Sequence, residues 1–425
     1  MSNHLFKSIT LHVGLPKTGT TSIQNYCHKY ASHLASFNIH YPQSWPRNHT
    51  APLAHIAQSE PHINRISAKG ITKQDTNPVD YWLQLFNEEL RSCSADNLLL
   101  SSELIPNFDI SSLYNLKNFL LRYTNMIKII MYVRHPVNLA ESLVPTLLWY
   151  GGFPRVEIDQ ILLLKFQNYF KLRIQKIENV FGNDNLIITS YEAAQNHPNR
   201  IVGHFLDQIN VAYQPFDAAS FAFNSRPSQI SCEIINRYNL NLAQSTNLDT
   251  ADNIHKLYQL EGDVFKLPDA QRKNIYEINK SDSHWLYEYT QIDYRDFPTQ
   301  TSQMQSAHDS QNKMSLFSLF NVLTPTLQRA TIDYLNEHQH DLFDDDQITF
   351  LTQSHTAKRR FINNPKINPR ISIESMYISC AAVLAAHNDF DMALRVLNYA
   401  QIYNQESDHI KQKIEEYTLY VSKPD

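Results

Sequence analysis

The sequence predicts an α/β protein: a parallel central sheet flanked by helices, followed by an all-helical C-terminal extension. Three features carry that expectation. Short apolar runs at 9–13, 97–100, 127–133 and 186–189 alternate with helical segments. Strands buried on both faces read as unbroken apolar runs, and their alternation with helices implies parallel pairing. The first run passes through a glycine-bearing turn into hydroxyl residues that open a helix, and from about residue 224 the chain reads as helical.

Residues 9–13 form the first strand and 20–36 the helix after it. Residues 40–80, rich in Pro, His and Asn with little periodicity, read as an irregular insertion suited to substrate contacts. Asn97-Leu98-Leu99-Leu100 is a strand that ends in Ser101-Ser102-Glu103, with a helix at 111–122. Ile127 to Val133 is the next strand, closed by Arg134-His135-Pro136, and a helix starts near Val137. Residues 158–180 are helical, Leu186-Ile187-Ile188-Thr189 is the fourth strand, and a helix covers 199–209. In open parallel sheets ligands bind beyond the carboxyl ends of the strands. Lys17, Glu103 and Arg134 each fall just past such an end, so the fold alone would bring them to one edge.

A main domain is expected over 1–300, a helical extension over 301–357, a basic linker over 358–370 and a helical hairpin of tetratricopeptide-like spacing over 371–425. A single such hairpin packs on the main domain or on a sister subunit, so these helices are candidates for self-association or protein contact. The linker holds Lys358, Arg359, Arg360, Lys366 and Arg370 without an acid, which suits a solvated connection or an anionic partner.

The formal charge of −5 over 425 residues argues against a general nucleic-acid binder. Cys27, Cys93, Cys232 and Cys380 are far apart, with neither CxxC nor zinc spacing, which reads as reduced thiols in a cytoplasmic protein. No apolar run reaches the ~18 residues of a membrane span. Lys7 interrupts what would be the core of a signal peptide.

Residues 9–22 carry the chemistry. Backbone N–H groups converge in the turn, and the helix N-terminus adds partial positive charge, which is what a phosphate needs. Gly14 and Gly19 keep the four-residue gap of a Walker A loop, but Thr20 occupies the lysine slot and Lys17 sits upstream in the turn. That lysine is not placed for an ordinary nucleoside triphosphate. Taken alone, a Gly/Pro turn capped by threonines has the same residues.

Pro16-Lys17-Thr18-Gly19-Thr20-Thr21-Ser22 resembles the 5′-phosphosulfate loop of the PAPS-dependent sulfotransferases (PAPS is 3′-phosphoadenosine 5′-phosphosulfate). Tyr132-Val133-Arg134-His135-Pro136, with Ser142 eight residues after Arg134, resembles the second signature of that family. Ser190-Tyr191-Glu192 and Phe223-Asn224-Ser225 are similar to weaker family elements. The resemblance covers roughly residues 8–290 and leaves the chain beyond about 300 unexplained. It implies a P-loop NTPase-like sulfotransferase fold of bacterial type and sulfuryl transfer from PAPS to an acceptor hydroxyl, with release of adenosine 3′,5′-bisphosphate. It further implies that residues Pro16 to Ser22 hold the 5′-phosphosulfate, and Arg134 and Ser142 the 3′-phosphate. Arg suits that task because its planar fork matches phosphate oxygens.

Lys17 is the expected cation at the leaving oxygen. Glu103 is the expected base, because family members place a catalytic histidine or glutamate at that strand end. A carboxylate there needs a raised pKa to work near neutrality. His49 and His55 are rival bases, His12 reads as a satisfied core residue, and His135 as an orienter of Arg134. The acceptor is expected to be a small molecule or a glycan, on a carbohydrate or glycolipid, because Tyr41, Trp45, Arg47, Asn48 and His49 offer aromatic faces and polar groups to sugars. No metal is expected: a single 5′-phosphate offers no pair for magnesium to bridge, and the histidines lack ligand spacing. The rival readings are a kinase or NTPase with an aberrant Walker A loop and a non-catalytic adaptor on a nucleotide fold.

Overall fold

The computed structural model describes residues 5–58, 77–213, 227–242, 254, 256–298, 319–320, 323–337, 381, 385, 393–394, 396–398 and 408–421. Five strands form one parallel sheet: β1 (Ser8–Gly14), β2 (Ile39–His40), β3 (Asn97–Ser102), β4 (Ile127–Val133) and β5 (Leu186–Ser190), in the order β2-β3-β1-β4-β5. The four predicted strands are there. β2 is added at the edge, and its two residues are too short for a periodic signal. Ile9, Leu11 and Val13 of β1 and Ile129, Met131 and Val133 of β4 are fully buried, as a sheet covered on both faces requires.

The register places the strand ends level. Val13 pairs with Ser102, Gly14 with Tyr132, and Val133 with Ser190. The chain leaves β1 toward β3 on one side and leaves β4 toward β5 on the other. The crevice above β1 and β4 is therefore the switch point where open α/β sheets bind ligands.

The chain between strands forms α1 (Thr20–Lys29), α2 (Ala31–Ser36), α3 (Thr50–Ala57), α4 (Pro78–Leu90), α5 (Ile110–Leu120), α6 (Pro136–Thr146), α7 (Arg155–Lys165), α8 (Tyr169–Phe181), α9 (Tyr191–Gln195) and α10 (Arg200–Gln208). The predicted helix over 20–36 is two helices, because Tyr30 leaves helical geometry at φ −111 and ψ 35. The helix expected over 158–180 is likewise split between α7 and α8 by Asn168, at φ 48. The stretch read as irregular over 40–80 contains α3, with Pro52 in its first turn where a missing N–H costs nothing, and the start of α4, whose Asn77 cap accepts the Val79 N–H. Its residues 59–76 lie outside the described residues. Asp109 caps α5 through the Ser112 N–H. On one face of the sheet, Ile23 and Tyr26 of α1 and Phe205 and Leu206 of α10 share a core with Leu99, Ile130 and Tyr132.

The chain divides into two compact units that interleave in sequence. The first takes residues 1–140, 163–225 and 269–303 and holds the whole sheet; the second takes 141–162, 226–268 and 304–425. In the second unit α11 (Gln229–Leu242) packs on the helix Pro325–Glu337. There the Asn239 side-chain amide donates to the Leu148 and Phe153 carbonyls at 2.9 Å each. Beyond residue 300 the described chain is almost wholly helical, including Asp408–Val421. The basic linker 358–370 and Phe223-Asn224-Ser225 lie outside the described residues, as do most of 301–357 and 371–425. Among the described residues no helix is long and apolar enough to cross a membrane.

Candidate active site

The turn after β1 is shaped by two left-handed residues. Gly19 has φ 78, and Lys17, with a side chain, has φ 64. A left-handed conformation costs a non-glycine residue ~1–2 kcal/mol, so its surroundings must hold it there. Arg134 does so: its Nη1 donates to the Lys17 carbonyl at 2.7 Å. Thr18 Oγ1 donates back to the Leu15 carbonyl at 2.6 Å and closes the turn. Gly14 is required by close approach, since a Cβ there would collide with Thr20 Oγ1.

These contacts leave donors open. Among the described residues, the N–H groups of Thr18, Gly19, Thr20 and Thr21 reach no backbone carbonyl, whereas those of Ser22 and Ile23 bond to the Gly19 carbonyl. Among the described residues, Thr20 Oγ1 is sealed from solvent without a hydrogen-bond partner. A ring of N–H groups at a helix start, beside a lysine, is chemically an oxyanion receptor.

Arg134 is 5 % exposed, and its Nε has no partner among the described residues. Its guanidinium lies over the Tyr191 ring, 4.6 Å from the centroid. The next residue locks the surrounding turn. Glu192 Oε1 accepts the His135 N–H and the Asn138 side-chain amide, each at 3.1 Å, and Glu192 Oε2 accepts the Tyr294 hydroxyl at 2.6 Å. His135 is neutral, because burial lowers its pKa. Its ring spans from the Val137 N–H, which it accepts, to the Asp296 carbonyl, to which it donates. Its ring thereby braces the turn that follows Arg134.

Glu103 lies one residue beyond β3, partly exposed. Burial raises its carboxyl pKa, and the positive charge of Lys17 works in the opposite direction. Lys17, Glu103 and Arg134 thus stand past the ends of β1, β3 and β4, three neighbours in the sheet. Ser142 is the seventh residue of α6.

The end of β3 is held by a buried polar strip. His12 Nδ1 meets Ser101 Oγ at 2.9 Å, the Gln24 amide donates to Ser101 Oγ and to Asn48 Oδ1, and Thr50 Oγ1 meets Ser102 Oγ at 2.9 Å. His12 is thus satisfied at one nitrogen only, since its Nε2 has no partner among the described residues. His49 is fully buried; its Nδ1 accepts the Ser101 N–H, and its ring packs 4.5 Å from that of Tyr41. Burial pushes its pKa down to about 3, which makes it a poor proton acceptor. His55 is buried, with Nδ1 on the Ala51 carbonyl of its own helix. The expected sugar-facing aromatics are interior too. Trp45 and Tyr41 are each 1 % exposed, with Trp45 donating to the Trp82 carbonyl and Tyr41 to the Arg47 carbonyl. Their rings fill the core and offer no face to a ligand.

No protein-family model and no curated protein matches the chain. Solved structures that match include a sulfotransferase from Alicyclobacillus acidocaldarius, at 13 % identity and TM-score 0.41, covering 68 % of this chain and 98 % of that one. Another is the mouse sulfotransferase SULT7A1 complexed with PAP, at 13 % identity and TM-score 0.27, covering 83 % of this chain and 95 % of that one. Superpositions this loose carry neither a ligand nor an activity across to this chain.

Sequence reasoning did not find the pairing of Tyr191 with Arg134 or the bonds of Glu192. Tyr191-Glu192 stood only as a strand-end resemblance, and the two contacts span 57 residues of chain. Among the described residues no group of three or more His, Cys, Asp or Glu is placed to hold a metal ion.

Proposed function

We propose that this protein transfers a sulfuryl group from PAPS to an acceptor hydroxyl. One observation carries the reading: an N–H-lined turn with a displaced lysine stands directly beside a sealed arginine with an unused Nε, at the switch point of a parallel sheet. Two separate anion receptors on one crevice suit a nucleotide with phosphate at both its 5′ and 3′ positions. The groups present fit such a ligand. Among the described residues the N–H groups of Thr18 to Thr21 and Thr20 Oγ1 lack other acceptors, and the glycine at position 14 leaves Thr20 its room.

PAPS supplies an activated sulfuryl group. Lys17 and the open N–H groups hold the 5′ end and take up the charge that collects on the departing phosphate oxygen. Arg134 holds the 3′-phosphate. Glu103 takes the proton from the acceptor hydroxyl as its oxygen bonds to sulfur and the bond from sulfur to the phosphate oxygen breaks. Partial burial supports this role, because a raised pKa strengthens the carboxylate as a base.

Titration calorimetry with the full-length protein tests the cofactor. Tight binding of adenosine 3′,5′-bisphosphate is expected, along with incorporation of label from PAPS into an acceptor. Tight ATP–Mg²⁺ binding with no affinity for the bisphosphate would overturn the reading in favour of a kinase or NTPase.

A further inference from the structure

One face of α8 carries buried positive charge that the sulfuryl-transfer reading leaves unused. Tyr169, Arg173 and Lys176 are spaced by four and three residues, so they line one side of the helix. That helix packs against α5 and the 3-10 turn Ile105–Asn107, the two elements that follow Glu103 in the chain.

Lys176 is 9 % exposed, and among the described residues its ammonium has no hydrogen bond or ion pair. Arg173 lies over the Tyr169 ring at 4.0 Å and gives Nη1 to the Tyr169 carbonyl at 3.0 Å. Among the described residues its Nε is sealed without a partner, and so is the Tyr169 hydroxyl. Desolvation and the neighbouring Arg173 charge push the Lys176 pKa down to about 8, and Asp109 opposes them.

The carboxylates around this face are already committed. Asp109 accepts the Ser112 N–H at 2.6 Å and the Ser111 hydroxyl at 2.8 Å as the cap of α5. Asp282, on the helix Asp269–Thr290, accepts the Phe170 and Lys171 N–H groups at 2.7 and 3.0 Å. Among the described residues neither makes an ion pair with Lys176 or Arg173. Lys171, on the same helix, is exposed, and Lys117 of α5 gives its ammonium to the Val180 carbonyl at 2.7 Å. A buried ammonium and a half-buried guanidinium thus repel each other, with no counter-charge in contact among the described residues, an arrangement that burial penalises unless an anion joins it.

We propose that Tyr169, Arg173 and Lys176 form a second anion-binding site, which takes a carboxylate or sulfate-type oxyanion. The Nε edge of the guanidinium, the ammonium and the phenol supply donors of three different shapes to one set of oxygens. Resting on the sulfuryl-transfer reading, the oxyanion is a substituent of the acceptor, and the acceptor is an acidic molecule.

Melting and lysine acylation of the full-length protein test the site without PAPS. In chloride buffer, Lys176→Met should melt above the wild type, because an unpaired buried charge is removed. Sulfate at matched ionic strength should then raise the melting temperature of the wild type more than that of the variant. It should also slow acylation of Lys176, read by mass spectrometry, by roughly tenfold at ten times its dissociation constant, while the exposed Lys128 is unaffected. A variant that melts lower than the wild type, equal sulfate shifts in both, or unprotected Lys176 would each overturn the proposal. Arg173→Met replaces Lys176→Met in the same comparison if the latter does not fold. Sulfate protection without PAPS turnover would reject sulfuryl transfer and keep the site. Turnover without protection would do the reverse, and equal turnover of acidic and neutral acceptors would remove the acceptor as the source of the oxyanion.

Discussion

The Arg134 guanidinium rests on the Tyr191 ring, 4.6 Å from its centroid, while its Nη1 holds the Lys17 carbonyl at 2.7 Å. The stack fixes the plane of the guanidinium, and the hydrogen bond fixes one corner. What is left, the Nε side, is a pre-oriented donor edge. Because the hydrogen bond ends on the residue at φ 64, the same side chain also stabilises the turn that offers its N–H groups. The two anion receptors are mechanically linked through one residue.

Arg134→Ala should therefore weaken adenosine 3′,5′-bisphosphate by about 1.5–3 kcal/mol, roughly 10- to 150-fold. A nucleotide lacking the 3′-phosphate should lose less, only what the loosened Lys17 turn costs. Calorimetry with both ligands measures the difference. Equal losses would mean that Arg134 acts only through the turn.

Gly19→Ala tests the turn itself. At φ 78 a Cβ is strained, and it would lie 2.9 Å from Ile201 Cγ1 on α10. The conformational cost is about 1–2 kcal/mol, with overpacking against α10 added. The expected result is a lower melting temperature and a larger fractional loss of nucleotide affinity than of stability. Unchanged affinity would show that the N–H groups of the turn do not bind the ligand.

The sheet and the three strand-end residues were legible because doubly covered parallel strands are continuous apolar runs. Once the strands at 9–13, 97–100 and 127–133 are placed, Lys17, Glu103 and Arg134 follow by topology. The turn was legible because Gly14 and Gly19 answer to local sterics. Tyr191 over Arg134 was not, since nothing in a tyrosine signals a cation stack made across a crossover. Tyr41, Trp45 and His49 misled for a related reason: aromatic and polar residues in a Pro-rich stretch suit a sugar-binding rim and a wrapped core equally well. Only burial separates the two, and burial is a property of the whole fold. Arg173 and Lys176 were hidden within a helix whose charge pattern suits an ordinary solvated face.

His12 and His49 should make the protein acid-sensitive. Both are fully buried, and burial lowers both pKa values from 6.5 to about 3. Between those values the unfolded chain takes up protons that the folded one does not. Stability should therefore fall as pH drops below about 6.5 and level off near 3. The double variant His12→Gln, His49→Gln should be less stable at pH 7, through lost packing, yet show a flatter melting curve between pH 6.5 and 4. An unchanged slope would mean that neither ring is neutral in the folded state.

Glu103 gives the opposite slope. Its folded-state pKa is raised, so between the ordinary value of 4.5 and the raised one the folded state holds a proton that the unfolded state has lost. Stability falls as pH rises through that window, and the ionised carboxylate remains a net cost above it. Glu103→Gln removes this cost and should raise the melting temperature at neutral pH. As a base, however, Glu103 works only when ionised, so kcat of the wild type should rise with pH along an acid limb lying above that of an ordinary carboxylate. The variant should lose that limb together with roughly 100- to 10,000-fold in kcat, and its affinity for adenosine 3′,5′-bisphosphate should be unchanged. Opposite movements of stability and turnover are the signature sought, because a carboxylate with a purely structural role would lower both when replaced. Turnover equal to the wild type would place the base elsewhere than at Glu103.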